Sequence, residues 1–510
     1  MQWLQALVDE LITKHPDGEI LVSSGASPSG TYHVGHLREI ITCDAILLEL
    51  RRRGRQARHV HFADDLDGLR KIPGNIPAEY EKYLGKPLCD IPAPDGTDRS
   101  YADYFLDDFI ASAQALGIEM EVVYSHQKYR QGFFVPAIER CLEHMAAAKQ
   151  TLETVAGRQL DEHWSPIQIM EDGYLKNRPF LSIDTKAKTL SYQDKEGKTQ
   201  TVAYDKGAVK LDWRLDWPGR WWLLGVNAEP FGRDHATKGG SFDTGVGMME
   251  QIYKADPPIP VPYDFVNLAG DNKKMSASRG TGIQATEIIK VLPAEVTRFF
   301  MLRYAPAKRL YFDQTDGTIK LVDEYAALSS QPELSESDQQ LLYVCSRGSQ
   351  EKTVSRVPFS HLVASYQAAL KDAEKTLQIL GRTEYSQVVK EDRDIIIREL
   401  AFIHEWLKLW APEDVKFEPL QTLEVASLSV AQKTYLQQLG QKVADAPQDA
   451  DGAWFHQAIY EFKDQTDLAP KELFTTLYQV LIGKDSGPRA GWFLSMLPRD
   501  WLVKRLKLEA

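Results

Sequence analysis

The feature that most constrains this chain lies at its start, where a strand, a turn, a helix and a second strand follow one another between residues 19 and 63. Glu19-Ile20-Leu21-Val22-Ser23-Ser24 holds an apolar run of strand length. Gly25-Ala26-Ser27-Pro28-Ser29-Gly30 follows as a turn of small residues. Leu37, Ile40, Ile41, Ala45 and Leu48 then recur at helical spacing, with Arg51, Arg52 and Arg53 in the last turn and Gly54 just past it. Cations there complement the helix dipole, and glycine is the usual residue beyond a helix end. Arg58-His59-Val60-His61-Phe62-Ala63 reads as the second strand. A helix joining two strands makes them parallel, and so predicts an α/β fold around a parallel sheet.

A second α/β pass runs from Tyr101 to Ala148: a helix marked by Phe105, Phe109, Ala113 and Leu116, a strand at Val122-Val123-Tyr124, and one helix from Phe134 to Ala148. Short apolar runs separated by charged turn residues, at Phe180–Ile183 and Thr189–Tyr192, predict a small β-containing insertion. Sheet-type alternation is expected again at Trp222-Leu223-Leu224-Gly225-Val226 and at Tyr263–Leu268. Beyond Leu321, residues 361–382, 391–410, 430–444 and 453–463 show helical apolar spacing. The expected organisation is an α/β first half over 1–158, the insertion over 159–207, an α/β second half over 208–320 and an all-helical domain over 321–510.

The chain has 510 residues, no repeat, and no apolar run of the 18 or more residues that a membrane span needs. Its first residues form an amphipathic helix with early acids, unlike a signal peptide. Cys43, Cys89, Cys141 and Cys345 are scattered, without metal-ligand spacing or the look of a disulfide framework, which points to the cytoplasm. The net charge of −12 does not exclude a polyanionic partner, because binding needs only a local basic surface. Residues 471–510 do carry seven Lys or Arg against four acids.

Two segments carry chemistry. The first, Ser24 to His36, sits where an open α/β sheet binds ligands, at the end of a strand and the start of a helix. His33 and His36 share one face of the first turn and can donate to phosphate oxygens, and Gly35 between them lets a flat base approach. Neither G-x-G-x-x-G nor a Walker sequence is present. The second, Gly270-Asp271-Asn272-Lys273-Lys274-Met275-Ser276-Ala277-Ser278-Arg279-Gly280-Thr281-Gly282, is a glycine-flanked polar loop after a strand. Lys274 offers a point charge on a long stem, and Ser276 and Ser278 add hydroxyls.

Together these segments resemble the HIGH and KMSKS signatures of class I aminoacyl-tRNA synthetases. Asp64–Pro73, Asp212–Trp221, Glu229–Ala236 and Gly239–Gly245 look like the class I lysyl-tRNA synthetases, and Gly483-Lys484-Asp485-Ser486-Gly487-Pro488-Arg489 resembles the C-terminal helical region of that group. The likeness covers most of the chain. Three positions depart from the pattern: His36 stands where Asn is usual, Ala277 where Lys or Ser is usual, and the insertion has no Cys. No structural zinc is therefore expected.

The resemblance implies a Rossmann-type parallel-sheet catalytic domain, a small inserted domain and a helical anticodon-binding domain. It implies that lysine and ATP, with Mg²⁺, give lysyl-adenylate, which is passed to the terminal ribose of a lysine tRNA. His33, His36 and Lys274 are the expected catalytic residues. Pro28, Ser29, Gly30, Thr31, Tyr32, Val34, Gly35, Met275, Ser276, Ala277 and Ser278 are expected around ATP. Gly25, Ser27, Asp64, Asp65, Trp221, Asp234, His235 and Asp243 are the candidates around lysine, with the carboxylate that meets the ε-ammonium left open. Three other readings stand beside this one: a class I synthetase for another amino acid such as glutamate, a small-molecule adenylyltransferase, and a synthetase-like tRNA-binding or regulatory paralogue.

Overall fold

The computed structural model describes residues 1–157, 159–162, 164–270, 282–420, 422–423, 427–448 and 450–509. Five strands make the central sheet: β1 (Ile20–Ala26), β2 (Ala57–Ala63), β3 (Glu121–Tyr124) and, after the insertion, β10 (Ala228–Gly232) and β11 (Ile259–Tyr263). Their order is β11-β10-β1-β2-β3, every neighbour parallel. The chain builds outward from β1 to β3, then returns to place β10 on the other side of β1. That reversal opens a crevice at the C-terminal ends of β1 and β10.

The helix Val34–Arg52, which follows the first motif, is buried nearly all round, including Leu37, Ile40, Ile41 and Leu47 at 0% exposure. Fully covering side chains of this size contributes about 1.5–3 kcal/mol each, so this helix is an anchor of the fold. Its buried Arg38 donates to the carbonyls of Asp264 (2.6 Å) and Lys308 (2.8 Å), tying down the chain just after β11. The helix expected from Phe134 to Ala148 is two, Val135–Glu143 and Met145–Ala156, broken at His144.

The expected insertion, 159–207, holds β4 (Ile167–Glu171), β5 (Tyr174–Asn177), β6 (Phe180–Asp184), β7 (Thr189–Gln193) and β8 (Thr199–Ala203), and β9 (Val209–Leu211) follows just beyond it. They form two antiparallel three-stranded sheets, β5-β4-β9 and β6-β7-β8. The strand expected at 222–226 is instead the end of a helix, Trp213–Leu224. Asp212 caps it by accepting from the Arg214 N–H, and Gly225 ends it at φ +69°. Residues 263–268 are split between β11 and a short β12 (Val266–Leu268), which pairs in parallel with β13 (Leu310–Phe312).

The chain divides into two compact units, one of residues 1–289, 297–312 and 334–349, the other of 290–296, 313–333 and 350–510. The second unit is helical, with a core of residues such as Tyr435, Leu439, Phe455, Leu477 and Phe493. The helix expected over 361–382 breaks into Phe359–Ala368 and Ala373–Leu380, because Leu370 and Lys371 take left-handed backbone angles between them. No helix among the described residues is long and apolar enough to cross a membrane.

Candidate active site

A cavity of about 230 Å³ opens at the crevice between β1 and β10. Its walls come from the end of β1 (Gly25, Ala26), the first turns of the Val34–Arg52 helix (His33, His36, Glu39), the tryptophan-rich helix (Trp213, Trp217, Arg220) and β10 (Glu229 to Gly232). Each wall is thus the end of a rigid element, which holds geometry better than a loop does.

At one end stand the two histidines, with ring centroids 4.1 Å apart. The Gly35 N–H donates to Nδ1 of His33 (3.0 Å), and the His33 N–H donates to Nδ1 of His36 (3.1 Å). The rings themselves therefore absorb helix-start N–H groups in a reciprocal cap, which fixes their orientation. Gly35 serves this arrangement directly, since a Cβ there would stand 2.8 Å from Cε1 of His33.

The other end is acidic. Glu39 accepts from the Gly25 N–H (2.9 Å) and from the Tyr263 hydroxyl (2.6 Å). Burial lifts its carboxyl to about 8 against those hydrogen bonds, and the neighbouring acids Glu229 and Asp234 add to the lift. Glu229 accepts from the indole N–H groups of Trp217 (2.9 Å) and Trp221, although burial still raises it. Trp213 and Trp217 stack with centroids 5.2 Å apart, Phe231 stands edge-on to Trp217, and together they give the cavity an aromatic wall.

Beneath the wall lies a buried charge network. Arg220 is 2% exposed and bonds Asp64 and Asp216, each at 2.8 Å, with its guanidinium 4.2 Å from the Phe62 ring centre. Lys210 bridges Asp67 (3.0 Å) and Asp216 (3.2 Å), and the Tyr129 hydroxyl donates to Asp216 (2.6 Å). Burial disfavours charge on Arg220 and Lys210, but the surrounding carboxylates outweigh it and hold both cationic. Breaking one partner of such a network is typically worth about 3–5 kcal/mol.

Residues 1–348 match the family model described as tRNA synthetases class I (K). The lysine–tRNA ligase 1 of Methanosarcina acetivorans is 34% identical over 536 residues, covering 99% of this chain and 98% of its own. That of Archaeoglobus fulgidus is 33% identical over 509 residues, 99% of each chain. The chain belongs to the class I lysyl-tRNA synthetases. A solved glutamate tRNA ligase from Elizabethkingia meningosepticum aligns over 96% of this chain and 99% of its own, at 12% identity and a TM-score of 0.45.

For a class I lysyl-tRNA synthetase, the structure sorts the residues expected from sequence into two groups. Gly25, His33, Gly35, His36, Asp64, Asp234 and His235 line the cavity together. Ser27 is half-buried, Pro28 and Gly30 are buried, and the carbonyl of exposed Ser29 accepts from the Tyr101 hydroxyl at 3.1 Å. The Thr31 hydroxyl accepts from Asn75 (3.2 Å). The side chains of Tyr32 and Val34 face the core, Tyr32 stacked on Phe109 at 4.3 Å and Val34 fully covered, so neither side chain reaches a ligand.

Three further lysine-pocket candidates are not among the residues that line this cavity. Asp65 is buried against His126, accepting its N–H at 2.8 Å and pairing with its ring. Asp243 accepts the Gly239 N–H (2.8 Å) and closes a turn. Trp221 is buried behind the wall, where its indole holds Glu229 and its ring packs on Gly245. Lys274, Met275, Ser276, Ala277 and Ser278 fall in 271–281, outside the described residues.

Sequence reasoning passed over Glu39, Tyr263, Trp213, Trp217, Arg220 and Glu229. Glu39 did leave a signal: it is an acid three residues past His36, on the same helix face, amid the apolar run Leu37, Ile40 and Ile41. The others meet only when separate strands and helices converge.

Proposed function

We propose that this lysine–tRNA ligase forms lysyl-adenylate and passes the lysyl group to tRNA at the β1–β10 cavity, with Glu39 and Tyr263 receiving the lysine side chain. The observation that carries the reading is the acidic end of the cavity. Glu39 is held by two hydrogen bonds, and the charges that most perturb it are those of other acids, Glu229 and Asp234. A substrate ammonium placed there relieves that repulsion and becomes the counter-ion. Asp64 is paired with the Arg220 guanidinium and Glu229 also feels that cation, whereas the charges that shift Glu39 are those of acids, which makes Glu39 the best matched of these three to a substrate ammonium. The aromatic wall of Trp213 and Trp217 suits the four-carbon stem.

In the first half-reaction the lysine carboxylate attacks the α-phosphorus of ATP and pyrophosphate leaves. The protein's part is to hold the reactants in line and to stabilise charge on phosphate oxygens. The imidazoles of His33 and His36 are suited to that task because the reciprocal cap orients their rings before substrate arrives. Lys274, Ser276 and Ser278 are assigned to the triphosphate by their match to the family motif. Among the described residues no group of three His, Cys, Asp or Glu could cage a metal. Mg²⁺ is assigned to the ATP phosphates on the family resemblance, since this ion is usually held by one or two carboxylates together with substrate phosphates. In the second half-reaction a terminal ribose hydroxyl of tRNA displaces AMP. The helical region is assigned to the anticodon arm.

The test is charging of purified lysine tRNA with labelled lysine and, in parallel, with glutamate. Lysine alone should be esterified; esterification of glutamate, or tRNA binding without charging of either, overturns the reading. With tRNA present, Lys274→Ala should slow lysine-dependent pyrophosphate exchange about 10²–10³-fold at little-changed lysine KM.

A further inference from the structure

A lysine whose ε-ammonium meets Glu39 carries a second ammonium on its α-carbon, and the cavity holds another acid whose charge is set from outside the cavity. Asp64 follows β2, is 5% exposed and donates its N–H to the Ala26 carbonyl at 3.0 Å. Glu39, on the helix, accepts from the neighbouring Gly25 N–H at 2.9 Å. Acids from two elements thus converge on the end of β1. Arg220 lies against the same point, since a Cβ on Gly25 would stand 3.4 Å from its Nη1.

The buried network holds three carboxylates, Asp64, Asp67 and Asp216, and of these Asp64 alone lines the cavity. Two buried cations, Lys210 and Arg220, stand among them. Arg70 reaches Asp67 at 3.5 Å, but from a position 77% exposed, where an ion pair adds little. Burial raises the Asp64 carboxyl to about 7; Arg220 and Lys210 oppose that rise, while Asp67 and Asp216 add to it. Such a carboxyl is poised, so one nearby charge decides whether it is ionised. Lys210, on β9, lies outside the lining of the cavity yet supplies one of those charges. Its Nζ bridges Asp67 (3.0 Å) and Asp216 (3.2 Å). Asp216 is bonded to Arg220 at 2.8 Å, and Arg220 to Asp64 at 2.8 Å.

We propose that Lys210 is a positioning residue for amino-acid binding: without touching substrate, it holds Asp216 and Arg220 in place and keeps Asp64 ionised as the acceptor of the lysine α-ammonium. The proposal rests on the reading of this cavity as the lysine site and deepens it. Lysine then lies between two acids, Glu39 at its side-chain end and Asp64 at its backbone end. A purely structural ion pair at Lys210 would support the fold without telling the two ammonium groups apart.

The experiment uses the full chain with tRNA present and measures lysine-dependent pyrophosphate exchange. It also measures competitive inhibition by 6-aminohexanoate, which keeps the ε-ammonium and the carboxylate but has no α-ammonium. Lys210→Met should raise the lysine KM about tenfold, with kcat within about threefold and the KM for ATP unchanged, because Asp64 is then largely protonated at pH 7. Its Ki for 6-aminohexanoate should stay within about twofold of wild type. Lys210→Arg, which keeps the charge, should restore most of the lysine KM. Asp64→Asn should raise the lysine KM at least as far, again sparing 6-aminohexanoate, and adding Lys210→Met to it should raise the KM no further. Should Lys210→Met fail to fold, Lys210→Gln and Asp64→Asn carry the same comparison. A lysine KM unmoved by these variants overturns the proposal. So do equal losses for lysine and 6-aminohexanoate, or a Lys210 effect that persists in full beside Asp64→Asn. Glu39→Gln should weaken both ligands, since both carry the ε-ammonium. If it weakens neither, the lysine-site reading falls as well; a Glu39 effect beside silent Lys210 variants removes only this inference.

Discussion

At the scale of single residues, Glu39 is the group whose chemistry depends most on its surroundings. An exposed glutamate is ionised throughout the neutral range, whereas burial lifts this one to about 8. A lysine ammonium binds the ionised form, so below pH 8 each bound lysine must displace a proton. The KM for lysine should therefore fall up to tenfold per unit as pH rises from 6.5 toward 8, and level off above that. Glu39→Gln should raise the KM roughly 100-fold and flatten the profile; a pH-dependent KM in that variant would reject Glu39 as the titrating group. His36 makes a second residue-scale case. It supplies one acceptor to the His33 N–H and one donor, and an Asn has both. His36→Asn should hold kcat within about tenfold, while His36→Ala should lose about 10²–10³-fold in single-turnover adenylate formation.

Among the elements, the Trp213–Leu224 helix departs furthest from what its sequence suggests. The run Trp222-Leu223-Leu224-Gly225-Val226 looks like a strand, yet Asp212 caps a helix that runs through Pro218 and Gly225 closes it. The reason lies in the partners: Trp217 and Trp221, one turn apart, both donate to Glu229 on β10, so the helix is held by a strand that sequence does not place beside it. These two tryptophans should behave differently. Trp221→Phe leaves a buried carboxylate oxygen without its donor and should cost about 1–3 kcal/mol in denaturant unfolding, with lysine KM little altered. Trp217→Phe should cost a similar amount and also raise the lysine KM, because its ring faces the cavity. Equal KM effects would mean that the wall is not where substrate sits. The strand–turn–helix–strand start, by contrast, was legible within a residue or two, because its apolar periods and its glycine and arginine stop signals are local.

For the whole molecule, charge and connectivity matter more than any one element. A chain of net charge −12 that binds RNA must do so through local cationic clefts. Its tRNA affinity should fall with added KCl, log Kd rising with log salt by about 0.7 for each single-strand phosphate contact; a Kd that does not respond to salt would reject a phosphate-tracking interface. Connectivity is the less legible part. Residues 334–349 lie between segments of the helical unit but belong with the sheet-bearing one. The Met1 amine reaches Gln340 (2.7 Å), and Arg298 joins Asp44 (2.6 Å) to the Val344 carbonyl (2.7 Å). By itself the sequence determined the class of fold and the family, and it singled out the helix start that carries His33 and His36, since each depends on short patterns whose residues are neighbours along the chain. Only the tertiary structure decided that Glu39 and Tyr263 meet and that Trp221, Asp65 and Asp243 stay out of the cavity. Glu39 and Tyr263 stand 224 positions apart and Asp65 and His126 stand 61 apart, and no local period encodes such contacts.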